Sequence, residues 1–257
     1  AGVARMQQMV AAIERAMERD IRALDWMTAE TKDRAIEKLH KIANKVGNQE
    51  KWQDYASVRI VRDDAYGNAA RASQYEVARE LAKIGKPVDR SEWIMTPQTY
   101  DAYSYQSNVE IVLPAAAFTI PGVSDSQVDD AIVYGYAAAA TIGHEITHSF
   151  DDYGRQYDAA GNLHDWWTAD DARQFQQRAA VLARQFDAYE PLPGLHINGQ
   201  ASLGENLADY GGGAARPRCI PQDRTVPPRR KHRWADAHAA VFPGLRARLA
   251  AAHPRQG

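Results

Sequence analysis

The chain is 257 residues long and 45% apolar, enough to bury one sizeable core, or one domain plus a helical extension. A formal charge of −2 leaves no whole-chain footprint for nucleic acid, and the single cysteine, Cys219, excludes an internal disulfide while leaving the redox compartment open. The lack of any apolar run of about 18 residues argues against a helical membrane span, and no secretory signal is found.

Taken in chain order, Val3, Met6, Val10, Ile13, Met17, Ile21 and Leu24 recur at three- and four-residue spacing and predict an amphipathic helix. A second helix is predicted from an N-cap at Thr28, carrying Ala35, Leu39, Ile42 and Val46 and stopping at Gly47. Both stripes read as core. The stretch from Asp54 to Tyr66 is mixed and suits a short strand or a turn. Ala69 to Ile84 predicts a third helix, closed by Gly85 and Pro87, and Asn108 to Leu113 is the best strand. Asp130 to Gly143 is alanine-rich and apolar, as a buried helix should be, and Ala169 to Tyr189 predicts another helix after Thr168. His40, His164 and His196 read as surface or loop residues, and Trp166 and Trp167 as packing against the helix that follows Gly143.

That helix carries His144-Glu145-Ile146-Thr147-His148. Residues i and i+4 share one helix face, so both imidazoles can reach one Zn²⁺ at about 2.0–2.1 Å. Glu145, beside the first ligand, can contact a water on the metal. A catalytic zinc needs a third protein ligand and an open fourth position. Glu205, in Gly204-Glu205-Asn206-Leu207-Ala208-Asp209, supplies a carboxylate at a helix start, where Gly204 can allow the turn. Asp209 lies on the same face as Glu205 and can accept the free N–H of a ligating ring, and Asp151 can do the same for His148.

His144 to Thr168 (HEITHSFDDYGRQYDAAGNLHDWWT) resembles the signature of the neprilysin family of zinc metallopeptidases. Ser202 to Gly212 is similar to that family's third-ligand segment, and Asn108 to Ala116 (NVEIVLPAA) to its N-E-I-V-F-P-A strand. Asp25 to Met27, Lys45 to Gly47 and Arg90 to Pro97 (RSEWIMTP) are similar to what precedes that strand in bacterial members. The likeness runs from Val3 to about Gly213. It implies His144, His148 and Glu205 as ligands of one zinc per chain and Glu145 as general base. It also implies Asp209 orienting His144, Asp151 orienting His148, and oligopeptide substrates cut on the amino side of a hydrophobic residue. In the family the strand near Glu110 lies at the cleft edge and pairs with an extended substrate. Bacterial members are commonly exported, so a periplasmic, extracellular or membrane-anchored location is the family expectation. Members are also longer and often begin with a signal or anchor, so an N-terminal portion is expected to be missing here.

Two stretches depart from the family. Asp101-Ala102-Tyr103 stands where N-A-Y or N-A-F binds substrate backbone, and an aspartate accepts hydrogen bonds without offering an amide's donors. Phe118 to Val123 departs from the more aromatic Q-P-P-F-F run, with consequences for the specificity pocket. Neither change touches the metal ligands.

Arg216 to Gly257 contains nine arginines, Lys231 and six of the twelve prolines against Asp223 and Asp236, which is +8 in the tail and leaves −10 for residues 1–215. Back-translating Trp234 to Ala250 and reading one nucleotide later permits GLTPTQRYFLGYARGW, similar to the family's downstream T-P-x-Q-R-F-F-L-x-Y-A-x-x-W. A frameshift near Gly213 to Pro217 is therefore the expected origin of the tail, and the nucleotide sequence across it is the test. The family's downstream histidine and arginine, which stabilise the oxyanion, have no counterpart in this tail; losing one such donor costs about 10²–10³ in turnover.

The expected fold is mainly α with a small β-sheet and a thermolysin-like zinc domain. Its parts are a helical segment over 1–95, a catalytic core over 96–215 and an atypical, disordered Arg/Pro-rich tail over 216–257. The expected function is a zinc endopeptidase acting on peptides, or an incomplete fragment of one, with no nucleic-acid partner. The alternative is a non-catalytic metal-binding remnant.

Overall fold

The computed structural model describes residues 2–119 and 141–219. Most of the Asp130–Gly143 run, the end of the Phe118–Val123 stretch and the tail from Ile220 lie outside the described residues.

Helix α1 (Gly2–Ala23) is built from good helix formers and buries one stripe: Met6, Met9, Val10, Ile13, Ala16 and Met17. That stripe packs into the main core with Leu39, Ile42, Ile111, Leu113, Ile142 and Ile146. Helix α2 (Ala29–Lys41) starts at the predicted cap, Thr28, whose hydroxyl oxygen accepts from the Thr31 N–H.

The prediction fails at the end of α2. The helix stops at Lys41, and Ala43–Gly47 forms strand β1, parallel to β3 (Glu110–Pro114). Ile42 and Val46 suit a helical period, but here the backbone from Ala43 joins a ladder that pairs Ala43 with Glu110 and Val46 with Leu113. Long-range pairing overrides a local pattern that both structures can satisfy.

Helix α3 (Ala65–Leu81) begins four residues before the prediction because Asp64 caps it, accepting from the Gly67 N–H at 2.9 Å. It buries none of its residues; Val77 and Leu81 are exposed. Strand β2 (Tyr103–Tyr105) runs antiparallel to β3, giving the order β1-β3-β2. β3 begins at Glu110 rather than Asn108, since Val109 has φ +50°, incompatible with extended backbone. All five β3 residues are buried. β3 is central, paired on both sides, so it has no edge to offer an extended peptide. Among the described residues the outer strands of the sheet are β1 and β2, and β2 is the one that lines the cleft, which corrects the expectation that the strand near Glu110 pairs with substrate.

Helix α4 (Gly143–Thr147) carries the histidine motif, α5 spans Ala169–Asp187, and α6 spans Leu203–Cys219, across the expected boundary at 215. Trp166 and Trp167 are buried beside Met27, Ala35, Phe150 and Phe175.

One buried carboxylate joins α2 to α5. Asp171 accepts from the Thr28 N–H (2.9 Å) and from the hydroxyls of Thr28 (2.5 Å), Thr31 (2.6 Å) and Thr168 (2.7 Å). Burial works against its charge, but these hydrogen bonds hold its pKa below 3.8. A depressed pKa contributes stability that is present above the unfolded value and lost as pH falls through the folded one. Asp171→Ala is expected to cost about 3 kcal/mol in urea unfolding at pH 7, because it strands several donors. The difference from wild type should shrink below about pH 4.

Candidate active site

α4 is sorted by face. Ile142 and Ile146 point into the core, while His144 and His148, also four apart, face a cleft. The His148 N–H bonds to the His144 carbonyl at 3.1 Å, so helical geometry holds across the pair. Helix α6 packs against α4 and delivers the acids. Gly211 permits the approach: a Cβ there would lie 2.4 Å from Thr147 Oγ1 and 3.1 Å from its Cβ. Gly204 is inside the helix rather than in a turn before it. A Cβ at that position would meet Asp152 Oδ1 at 3.1 Å and Asp151 Oδ2 at 3.2 Å, so close approach is its role. Gly211→Ala is expected to push α4 and α6 apart, lower stability by about 1–3 kcal/mol in thermal or urea unfolding, and weaken zinc uptake in a chelator competition.

His144 Nδ1 lies 2.9 Å from Asp209 Oδ1, and His148 Nδ1 lies 2.7 Å from Asp151 Oδ2. A carboxylate can only accept, so each ring donates its Nδ1 proton to its acid, and the Nε2 lone pair of the neutral ring is what a metal would take. The two Nε2 atoms face each other at 2.9 Å, and Glu205 Oε2 stands 3.2 Å from one and 3.7 Å from the other. With both rings neutral in this tautomer, two lone pairs and a carboxylate oxygen would converge on one point and repel one another, and a cation among them would remove the repulsion. His144, His148 and Glu205 are the metal-site candidate among the described residues, and this donor set fits zinc. The arrangement brings all five predicted residues of the metal region together.

Asp151 does a second job. Its Oδ1 accepts the N–H groups of Tyr153 (2.9 Å) and Gly154 (2.6 Å), which fixes the carboxylate that faces His148. Burial opposes charge on His148, but the Asp151 hydrogen bond and the charges of Asp151, Glu145 and Glu205 carry its pKa upward. Glu145 is 7% exposed. Burial pushes its carboxyl up to about 7; His148 pulls it down, while Glu205 and Asp101 push it up.

The cleft holds about 500 Å³ and is lined by residues 101–107, His144, Glu145, His148, Asp151, Tyr153, Tyr157 and Glu205. Asp101 and Ala102 sit in its wall, and Asp101 Oδ1 accepts the Ala102 N–H at 2.8 Å. His40, His164 and His196 are exposed, as expected. Two features escaped the sequence reading. Tyr153 and Tyr157 join hydroxyls at 2.7 Å on the cleft wall, with no local signal to mark them. Lys38 is 1% exposed, directly behind the site. Its signal was present: position 38 falls on the stripe of Thr31, Ala35 and Leu39, where a lysine is out of place.

A helix bearing H-E-x-x-H, packed against a second helix that supplies an acid to the same point beside a small sheet, is the arrangement of a thermolysin-like metallopeptidase fold. Family models described as Peptidase family M13 match residues 2–49 and 101–225. The chain belongs to peptidase family M13. It is 33% identical over 213 residues to Neprilysin-3 of Drosophila melanogaster, covering 80% of this chain and 27% of that protein. Against human neprilysin it is 32% identical over 217 residues, covering 80% and 29%. Among solved structures, the zinc metalloprotease Zmp1 of Mycobacterium tuberculosis in complex with an inhibitor superimposes with a TM-score of 0.78 at 46% identity, over 82% of this chain and 33% of that one. PepO of Lactobacillus rhamnosis gives 0.76 at 31% identity, over 86% and 35%. The chain therefore spans about a third or less of the length of these relatives.

Proposed function

We propose that the chain carries the active site of a zinc endopeptidase, one zinc per chain, that hydrolyses peptides with water. The carrying observation is the convergence of His144 Nε2, His148 Nε2 and Glu205 Oε2 beside the buried Glu145. Likeness to a zinc metalloprotease solved with an inhibitor supports the same reading. Zinc bound there would supply Lewis acidity, polarising a carbonyl and acidifying water. His144, His148 and Glu205 would hold it, with Asp209 and Asp151 fixing the two rings by their Nδ1 protons. Glu145 would accept a proton from the attacking water on its carboxylate oxygen and hand it to the leaving amine.

An extended peptide would lie along β2, which among the described residues is an outer strand of the β1-β3-β2 sheet and follows directly on Asp101 and Ala102. Asp101 would accept from a substrate N–H and offer no donor in return.

The test pairs zinc stoichiometry with hydrolysis of a quenched fluorescent peptide, wild type against Glu145→Gln. One zinc per chain with hydrolysis well above the variant supports the reading. One zinc with hydrolysis equal to the variant makes the chain a metal-binding remnant.

A further inference from the structure

Lys38 reaches from α2 to the back of the turn that follows α4. Its Nζ donates to three backbone carbonyls: Ser149 (2.7 Å), Gly154 (2.8 Å) and Tyr157 (2.7 Å). An ammonium has three N–H donors, so the count closes with none left over. The Tyr157 carbonyl also takes the Trp166 indole N–H at 2.9 Å, and the Phe150 and Trp166 rings flank the ammonium at 5.6 and 5.9 Å. The Gly154 carbonyl also accepts the Tyr157 N–H at 3.0 Å, but three carbonyls turned toward one buried point present only negative dipole ends, which repel one another without a cation.

Those carbonyls belong to the start, middle and end of the segment that holds Asp151. Within it, Asp151 accepts from the Tyr153 and Gly154 amides and faces the His148 ring. The turn folds tightly onto the end of α4: a Cβ on Gly154 would fall 1.7 Å from the His148 carbonyl oxygen. Lys38 touches neither the converging imidazole nitrogens nor the cleft. It grips the frame from which Asp151 is aimed.

We propose that Lys38 is a positioning residue for the metal site, acting through the Ser149–Tyr157 turn to hold Asp151 on His148. This rests on the zinc reading above. The ammonium works as a three-armed clamp, and the Asp151–His148 contact is as rigid as that clamp.

The test uses the full chain as wild type, Lys38→Met, Asp151→Asn, the Lys38→Met/Asp151→Asn double variant and Asp171→Asn. Zinc affinity is read by competition with a chromophoric chelator, the ligand field by the visible spectrum of the cobalt(II) form, and the turn by hydrogen exchange at Tyr153 and Gly154. Lys38→Met is expected to weaken zinc about 10–100-fold, alter the cobalt bands and speed exchange at both amides. The double variant is expected to bind zinc no more weakly than Asp151→Asn alone, because both changes break one linkage. Asp171→Asn, which loosens α2 from α5 away from the turn, is expected to lose melting temperature and keep its zinc affinity.

Wild-type zinc affinity in Lys38→Met, losses that multiply in the double variant, or an equal zinc loss in Asp171→Asn would each overturn the proposal. Should Lys38→Met fail to fold, Lys38→Gln, which keeps two N–H donors, takes its place with the same criteria. A wild-type chain that takes up no zinc sinks the metallopeptidase reading instead. In that event the exchange measurement alone decides Lys38, and unchanged protection at Tyr153 and Gly154 refutes it.

Discussion

Glu145→Gln is expected to keep one zinc per chain and lose peptide hydrolysis by about 10²–10⁴-fold, the usual contribution of a positioned general base. Glutamine matches the shape of glutamate but cannot take a proton at neutral pH. Glu145 is outside the converging set of His144, His148 and Glu205, so metal uptake should not follow activity down. Its surroundings suit a base. Burial pushes the carboxyl up to about 7, His148 opposes that rise, and Glu205 and Asp101 add to it. The decisive comparison is turnover at saturating peptide in samples of equal zinc content; a variant that turns over like wild type would remove Glu145 from the chemistry.

Asp151→Asn is expected to weaken zinc binding about 10–100-fold while leaving the chain folded, measured by chelator competition and by helical circular dichroism. The two oxygens of Asp151 have different tasks. Oδ1 accepts the Tyr153 and Gly154 amides and can go on doing so as an asparagine carbonyl. Oδ2, 2.7 Å from His148 Nδ1, becomes an NH₂ group and meets the ring's own N–H. Donor against donor forces the ring to move its proton to Nε2, where a metal would bind, or to rotate away. Asp209→Asn should cost less, because Asp209 is 74% exposed and water can replace it, whereas Asp151 is buried. Equal losses in the two variants would contradict this ordering.

Legibility in the sequence followed distance along the chain. The N-cap at Thr28, the helix start after Thr168, the α1 stripe from Met6 to Met17 and the shared face of His144 and His148 depend on residues within one or two turns and are legible directly, whereas Val3, on the same period, is exposed. The end of α2 is ambiguous in the sequence because Ile42 and Val46 satisfy a helix as well as a strand, and the tie is broken by β3, more than sixty residues later. The strand near Glu110 was recognised as a strand but misplaced at an edge, since position in a sheet is set by which neighbours arrive on each side.

The amino-acid sequence on its own determined the chemistry available: two imidazoles one helical turn apart, a carboxylate beside the first, and acids in a second helix. Spacing within a helix is fixed by backbone geometry, and side-chain type sets which atoms can ligate or take a proton. Only the tertiary structure decided that Glu205 meets both Nε2 atoms, that Asp209 meets a ring 65 residues away, and that Lys38 is a clamp rather than a surface charge. Those contacts exist because Gly211 lets two helices touch and because three carbonyls turned inward need a cation. Both conditions arise only when distant segments pack together.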